Sequence, residues 1–202
     1  MQEFRNLIVL GPLIYALHHF EEHIIFNFRA WRLNYFSDNN PITTEEILIR
    51  LSAFLLIIIF LHLIKGNRAS AHLVLFFLMT TQVINAFFHI FFSFYFYDFS
   101  PGTITALLLY LPVNYLIFNS ALREGYIGST KEIIYFFIMG ACTFALFEII
   151  GPAVLAVSMI LMIFYYLIFN KKVRKALQGI SYIQIFPHFT LNLCYSLSVS
   201  RS

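Results

Sequence analysis

Five ionisable side chains crowd into six positions of an otherwise apolar stretch: His18, His19, Glu21, Glu22 and His23. Imidazole and carboxylate groups are ligands for zinc, iron and manganese. They are also the side chains most used to move protons in catalysis. On a helix His18 meets Glu21 at i+3 and Glu22 at i+4, so the three project from one face, and Tyr15 extends that face by three residues. His19 and His23 form a second i, i+4 pair, offset around the cylinder. Further along, Gln82, Asn85, His89 and Ser93 recur at steps of three and four and mark a polar seam on an apolar helix.

The surroundings of these residues give them weight. Of 202 residues 60% are hydrophobic and only 11% charged, against about 45–50% and about 25% in soluble domains. A chain this short cannot hide so much apolar surface in its own core, so lipid must cover it, and the bilayer is the first partner. An ionisable side chain within a spanning helix costs about 2.5–3.5 kcal/mol on insertion scales. Five in one helix therefore need a reason to be there. The net charge of +3 is modest and no basic block suggests nucleic acid. Cys142 and Cys194 lie far apart, with neither metal-ligand nor disulfide spacing.

The fold class that follows is all-α, an integral membrane bundle of about six spans, since about 20 apolar residues cross a bilayer. The expected spans run from about Phe4 to Trp31, Glu45 to Ile64, Ala71 to Tyr97, Pro101 to Arg123, Thr130 to Ile150, and from Gly151-Pro152 to about Asn170. The apolar stretch Leu7 to Leu17 runs into His18 with no cleavage site and reads as part of a retained helix. Thr43 or Thr44 is placed to cap the second helix, Ser100 to cap the fourth with Pro101 in its first turn, and Asn114 to mend the backbone near Pro112. Residues 1–170 form one membrane domain. Residues 171–202, opening with the basic Lys171-Lys172-Val173-Arg174-Lys175, form an interfacial tail suited to anionic lipid. Ten of the thirteen Lys and Arg residues fall on one side of this arrangement. The bias places both termini in the cytoplasm. His18 and Glu22 then lie roughly 16 and 10 Å inside Arg29, and His89 roughly 12 Å inside Tyr97, at similar depth in the outer half. His62 and His72 flank the basic turn and are expected at headgroups, as is Glu148 at the outer end of helix five.

His18-His19-Phe20-Glu21-Glu22, with a downstream histidine at His89, resembles the HXXEE-domain family of multi-pass membrane proteins, whose function is uncharacterised. The family also carries a Tyr-x-Pro-Gly motif; this chain reads Phe99-Ser100-Pro101-Gly102, with phenylalanine in place of tyrosine. The resemblance covers roughly the first five helices. It implies a prokaryotic plasma-membrane protein with candidate catalytic residues, but no named reaction.

Four readings of the cluster follow. In the first, His18, Glu21, Glu22 and His89 hold a divalent zinc, iron or manganese ion that activates water against a lipid-like substrate by hydrolysis or supports its oxidation. In the second, Glu21 or Glu22 is a metal-free general base. In the third, the same carboxylates and histidines carry protons or ions for a transporter. In the fourth, they form an ion-pair network with Arg29 that fixes helix packing.

Overall fold

A computed structural model describes residues 3–37 and 42–171, and among these every regular element is helical. Five helices are long and apolar enough to cross a membrane: α4 (Thr44–Lys65), α5 (Arg68–Tyr95), α6 (Thr103–Arg123), α7 (Thr130–Ile150) and α8 (Ala153–Lys171). They carry large apolar residues on exposed faces, as lipid-facing helices do. Residues up to Met162 form one compact unit, and Ile163 opens a second. The basic tail from Lys172, Cys194 and the loop residues 38–41 lie outside the described residues.

The expected first span is not one helix. It is built from α1 (Glu3–Leu7), α2 (Leu10–Phe20) and α3 (Phe28–Tyr35), with a π turn, Glu21–Ile25, continuing α2. Phe26 and Asn27 break the chain: Phe26 is extended, and the Asn27 side chain caps α3 by accepting from the Ala30 N–H at 3.0 Å. Depths measured along a continuous helix to Arg29 therefore do not apply. Thr43 caps α4, as its position suggests, and Gly66 ends that helix in the left-handed region at φ 54°. Asn67 and Ser70 then start α5 with a reciprocal capping box.

The turn between α5 and α6 differs from expectation. Ser100 does not cap α6; the helix starts at Thr103, and Gly102 precedes it at φ 100°. Two further π turns lie in the spans, Met79–Ile84 in α5 and Ala106–Tyr110 in α6. These two pack against each other, and α2 packs on the second, where α2, α5 and α6 meet. α7 packs on the π turn of α5 through Gly140, where a Cβ would come within 3.2 Å of Met79 and Thr80.

His62 and His72, expected at headgroups, are buried instead. His62 Nδ1 meets Ser70 Oγ at 2.9 Å, and His72 Nε2–H donates to the Tyr126 carbonyl at 2.8 Å. Arg68 pairs with Glu132 beside them. Glu148 pairs with Arg32 at 2.9 Å.

Candidate metal centre

Glu22 stands at the middle of the site, at the start of the π turn that prolongs α2. Its Oε1 lies 3.3 Å from His18 Nε2, one turn back, and 2.9 Å from His89 Nε2 on α5. All three residues are buried, and one ligand atom from each falls within 4.8 Å of the others. The i, i+4 spacing on α2 and the polar seam on α5 thus converge as the sequence predicts.

The far nitrogen of each ring is held. His18 Nδ1 is 2.8 Å from Thr105 Oγ1, whose own proton goes to the Gly102 carbonyl at 3.3 Å. The hydroxyl oxygen therefore accepts from His18 Nδ1–H, and Nε2 is left with a lone pair. Asn85 Nδ2 donates to that lone pair at 3.0 Å. His89 Nδ1 is 3.0 Å from Ser100 Oγ, while its Nε2 has no aligned hydrogen-bond partner despite the carboxylate 2.9 Å away. Anchoring one imidazole nitrogen so that the other points at a common centre is the usual outer-shell arrangement of histidine ligands. The ring of Tyr110 lies 4.2 Å from that of His18, and Phe28 meets His89 edge-on, so water is excluded from this side.

The neighbouring carboxylate does something else. Glu21 Oε1 accepts from the Gly102 and Ile104 N–H groups at 3.1 Å each, and Oε2 accepts from Thr105 N–H at 2.6 Å. These are first-turn donors of α6, which Gly102 cannot cap because it has no side chain. Glu21 supplies the cap from 81 residues away, with its charge against the positive end of the helix. It was expected among the metal ligands. The fold instead turns it away from the His18–Glu22–His89 group.

Pro101 and Gly102 are buried at the roof of the site. A Cβ on Gly102 would meet His18 Cε1 at 2.8 Å, His89 Cε1 at 3.0 Å and Glu22 Cγ at 3.1 Å. Only glycine allows the backbone to lie across both rings and to hold φ 100°. Phe99, which replaces the motif's tyrosine, is exposed and packs against Phe26.

The remaining candidates divide. Tyr15, His19, His23 and Asn85 line a cavity of about 160 Å³ that reaches Glu22. His19 and His23 lie with ring centroids 4.4 Å apart, and His23 Nε2 is 3.6 Å from Glu22 Oε2. Gln82 belongs elsewhere: it donates to the Gly11 carbonyl at 2.9 Å and accepts from Asn114, tying α2, α5 and α6 together. Asn114 also donates to the Tyr110 carbonyl, the backbone repair expected of it near Pro112. Arg29 lines the same cavity.

Sequence reasoning passed over Thr105 and Tyr110, and assigned Ser100 to a cap. A hydroxyl three residues beyond Gly102, on the first turn of a helix whose start roofs the site, is a weak signal for Thr105. Tyr110 carries none.

Comparison with known proteins agrees with the motif. The sequence profile of a family described as "Protein of unknown function with HXXEE motif" matches residues 9–117. No curated protein and no solved structure matches the chain. The matched segment holds every residue of the site, from Tyr15 through Tyr110, and more than half the sequence, so this chain belongs to the HXXEE family.

Proposed function

We propose that this protein is a membrane-embedded, metal-dependent enzyme in which His18, Glu22 and His89 hold a divalent zinc, iron or manganese ion. The observation that carries the reading is the meeting of two anchored imidazoles with one carboxylate oxygen, inside 3.3 Å, in a buried site. His89 Nε2, which has no aligned hydrogen-bond partner, faces an anionic Glu22 oxygen at 2.9 Å, and a cation between them would satisfy both. Two histidines and a carboxylate are a ligand set that zinc accepts in hydrolases, with a further position open to water. The ion would lower the pKa of that water and polarise an acyl or phosphoryl oxygen. Hydrolysis is accordingly the reaction class.

The cavity supports a lipid-soluble substrate. Its walls include Phe28, Leu33, Phe88, Phe144 and Phe147, with Arg29 and Arg32 among the lining residues. An apolar chain with a polar or anionic end suits such a lining. Coupled transport is less well supported, because Gln82 and Asn114, the polar pair beyond the site, are locked to each other and to backbone carbonyls. The family resemblance favours a prokaryotic plasma membrane for the enzyme, and the charge bias of the loops favours both termini in the cytoplasm.

Elemental analysis of tag-free, detergent-purified protein tests the reading. Near-stoichiometric zinc, iron or manganese, lost from a His18→Ala/His89→Ala variant that still inserts and folds, is the expected result. Absence of metal after supplementation would overturn it and move the reading to a proton-linked or purely structural network.

A further inference from the structure

Glu22 has two carboxylate oxygens, and they face two different histidine pairs. Oε1 faces His18 and His89, while Oε2 is nearest His23, 3.6 Å away. His19, Glu22 and His23 form a second group whose ligand atoms all fall within 4.8 Å of one another. The pair arises from the spacing on α2. His18/Glu22 and His19/His23 are both i, i+4 steps, displaced by one residue, so they stand side by side with Glu22 between them.

The two groups differ in access. His18 and His89 are fully enclosed, and neither lines the cavity. His19 and His23 are partly open and form part of its wall, together with Glu22. Neither has a hydrogen-bonded partner among the described residues, whereas His18 and His89 are both anchored through Nδ1. Two neighbouring imidazoles with ring centroids 4.4 Å apart, beside a carboxylate in an apolar cleft, are poorly placed for packing alone.

We propose that His19, Glu22 and His23 form a second divalent-cation site, bridged to the first through the Glu22 carboxylate, and that this second ion faces the cavity. The centre is then dinuclear, with an enclosed ion on His18 and His89 and an accessible one on His19 and His23. The inference rests on the single-ion reading above and deepens it. The enclosed ion fixes the bridge, and the accessible ion meets the polar end of whatever enters the cavity. This favours hydrolysis of an ester or phosphoester: the accessible ion would hold the carbonyl or phosphoryl oxygen, and water would add its oxygen to that centre and give a proton to the departing alcohol.

The test is metal stoichiometry on tag-free protein in detergent, loaded with Mn²⁺ and freed of excess by gel filtration, beside a His19→Gln/His23→Gln variant. Two ions per chain in the wild type are expected, with an exchange-coupled EPR spectrum in place of isolated six-line Mn²⁺. The variant should keep one ion, lose the coupling and melt within a few degrees of wild type. One ion in the wild type, kept by the variant, would overturn the second site and leave the first standing. Two ions in both proteins would place the second ion elsewhere and also overturn it. No ion in the wild type would overturn both readings. Because the wild-type stoichiometry and spectrum are decisive by themselves, the proposal stays testable if the variant does not fold.

Discussion

His62 and His89 are both fully buried histidines on neighbouring spans, and both leave Nε2 without an aligned hydrogen-bond partner. Their Nδ1 atoms are even held alike, each by a serine hydroxyl, at 2.9 Å from Ser70 and 3.0 Å from Ser100. What differs is what lies on the free side. Around His62 stand the rings of Phe4 and Tyr126, both edge-on at 5.1 Å. Beside His89 stands a carboxylate oxygen at 2.9 Å and a second imidazole at 5.1 Å between ring centroids. An imidazole among aromatic rings is a packing group with a polar edge. One that meets a carboxylate and a second imidazole has the surroundings of the ligand proposed above. Burial and anchoring by themselves do not separate the two cases; the company kept by the free nitrogen does.

Replacing the two histidines in parallel is the most direct way to break this contrast. His89→Ala should reduce metal affinity at least about 100-fold, beyond the 10–100-fold typical of losing an outer-shell partner. His62→Ala should leave metal content unchanged and instead destabilise the fold by about 2–4 kcal/mol, the range of large-to-small substitutions in cores. Metal analysis and thermal melting of both variants in detergent read the two effects, and equal metal loss in both would end the distinction. Gly102→Ala comes next. Its methyl group would press on His18 and His89 at 2.8 and 3.0 Å, and the backbone would be strained at positive φ by about 1–3 kcal/mol. A tenfold or larger loss of metal affinity with a lower melting temperature is expected.

A smaller effect sharpens the contrast further. Thr105→Val removes the oxygen that fixes His18 Nδ1, and should weaken metal binding roughly 10-fold, near the lower end of the outer-shell range. Ser70→Ala removes the corresponding anchor of His62 and part of the α5 capping box, and should cost about 1 kcal/mol of stability with metal untouched. Smallest at the metal is Glu21→Gln. It should retain the ion while lowering stability by about 1–2 kcal/mol, the scale of a lost charge-assisted cap. Full loss of metal in Glu21→Gln would return that residue to the ligand set.

The trio His18, Glu22 and His89 is legible in the sequence because charge in a spanning segment is costly and the helical period then assigns it a face. The spans α4 to α8 are legible for the complementary reason, since long apolar runs admit few other structures. What Glu21 does is not legible. Two adjacent carboxylates look equivalent along the chain, and only the approach of the Gly102 turn gives one of them three backbone donors. Hydroxyls such as Thr105 and Ser100 raise no cost that would flag them, because they can satisfy themselves on their own backbone. The break at Phe26–Asn27 is hidden by the apolar residues on both sides of it, which allow a continuous helix to be drawn through Asn27.

The long reach of Glu21 bears on how the protein is made. Chains emerge from the ribosome N-terminus first, so Glu21 and Glu22 arrive long before the amide donors 81 to 84 residues downstream. Until then Glu21 lacks its three donors and Glu22 lacks His89, and each charge held in lipid would cost about 2.5–3.5 kcal/mol. Seating of the Glu21 charge is thus coupled to completion of α6, whose donors are made 81 to 84 residues later.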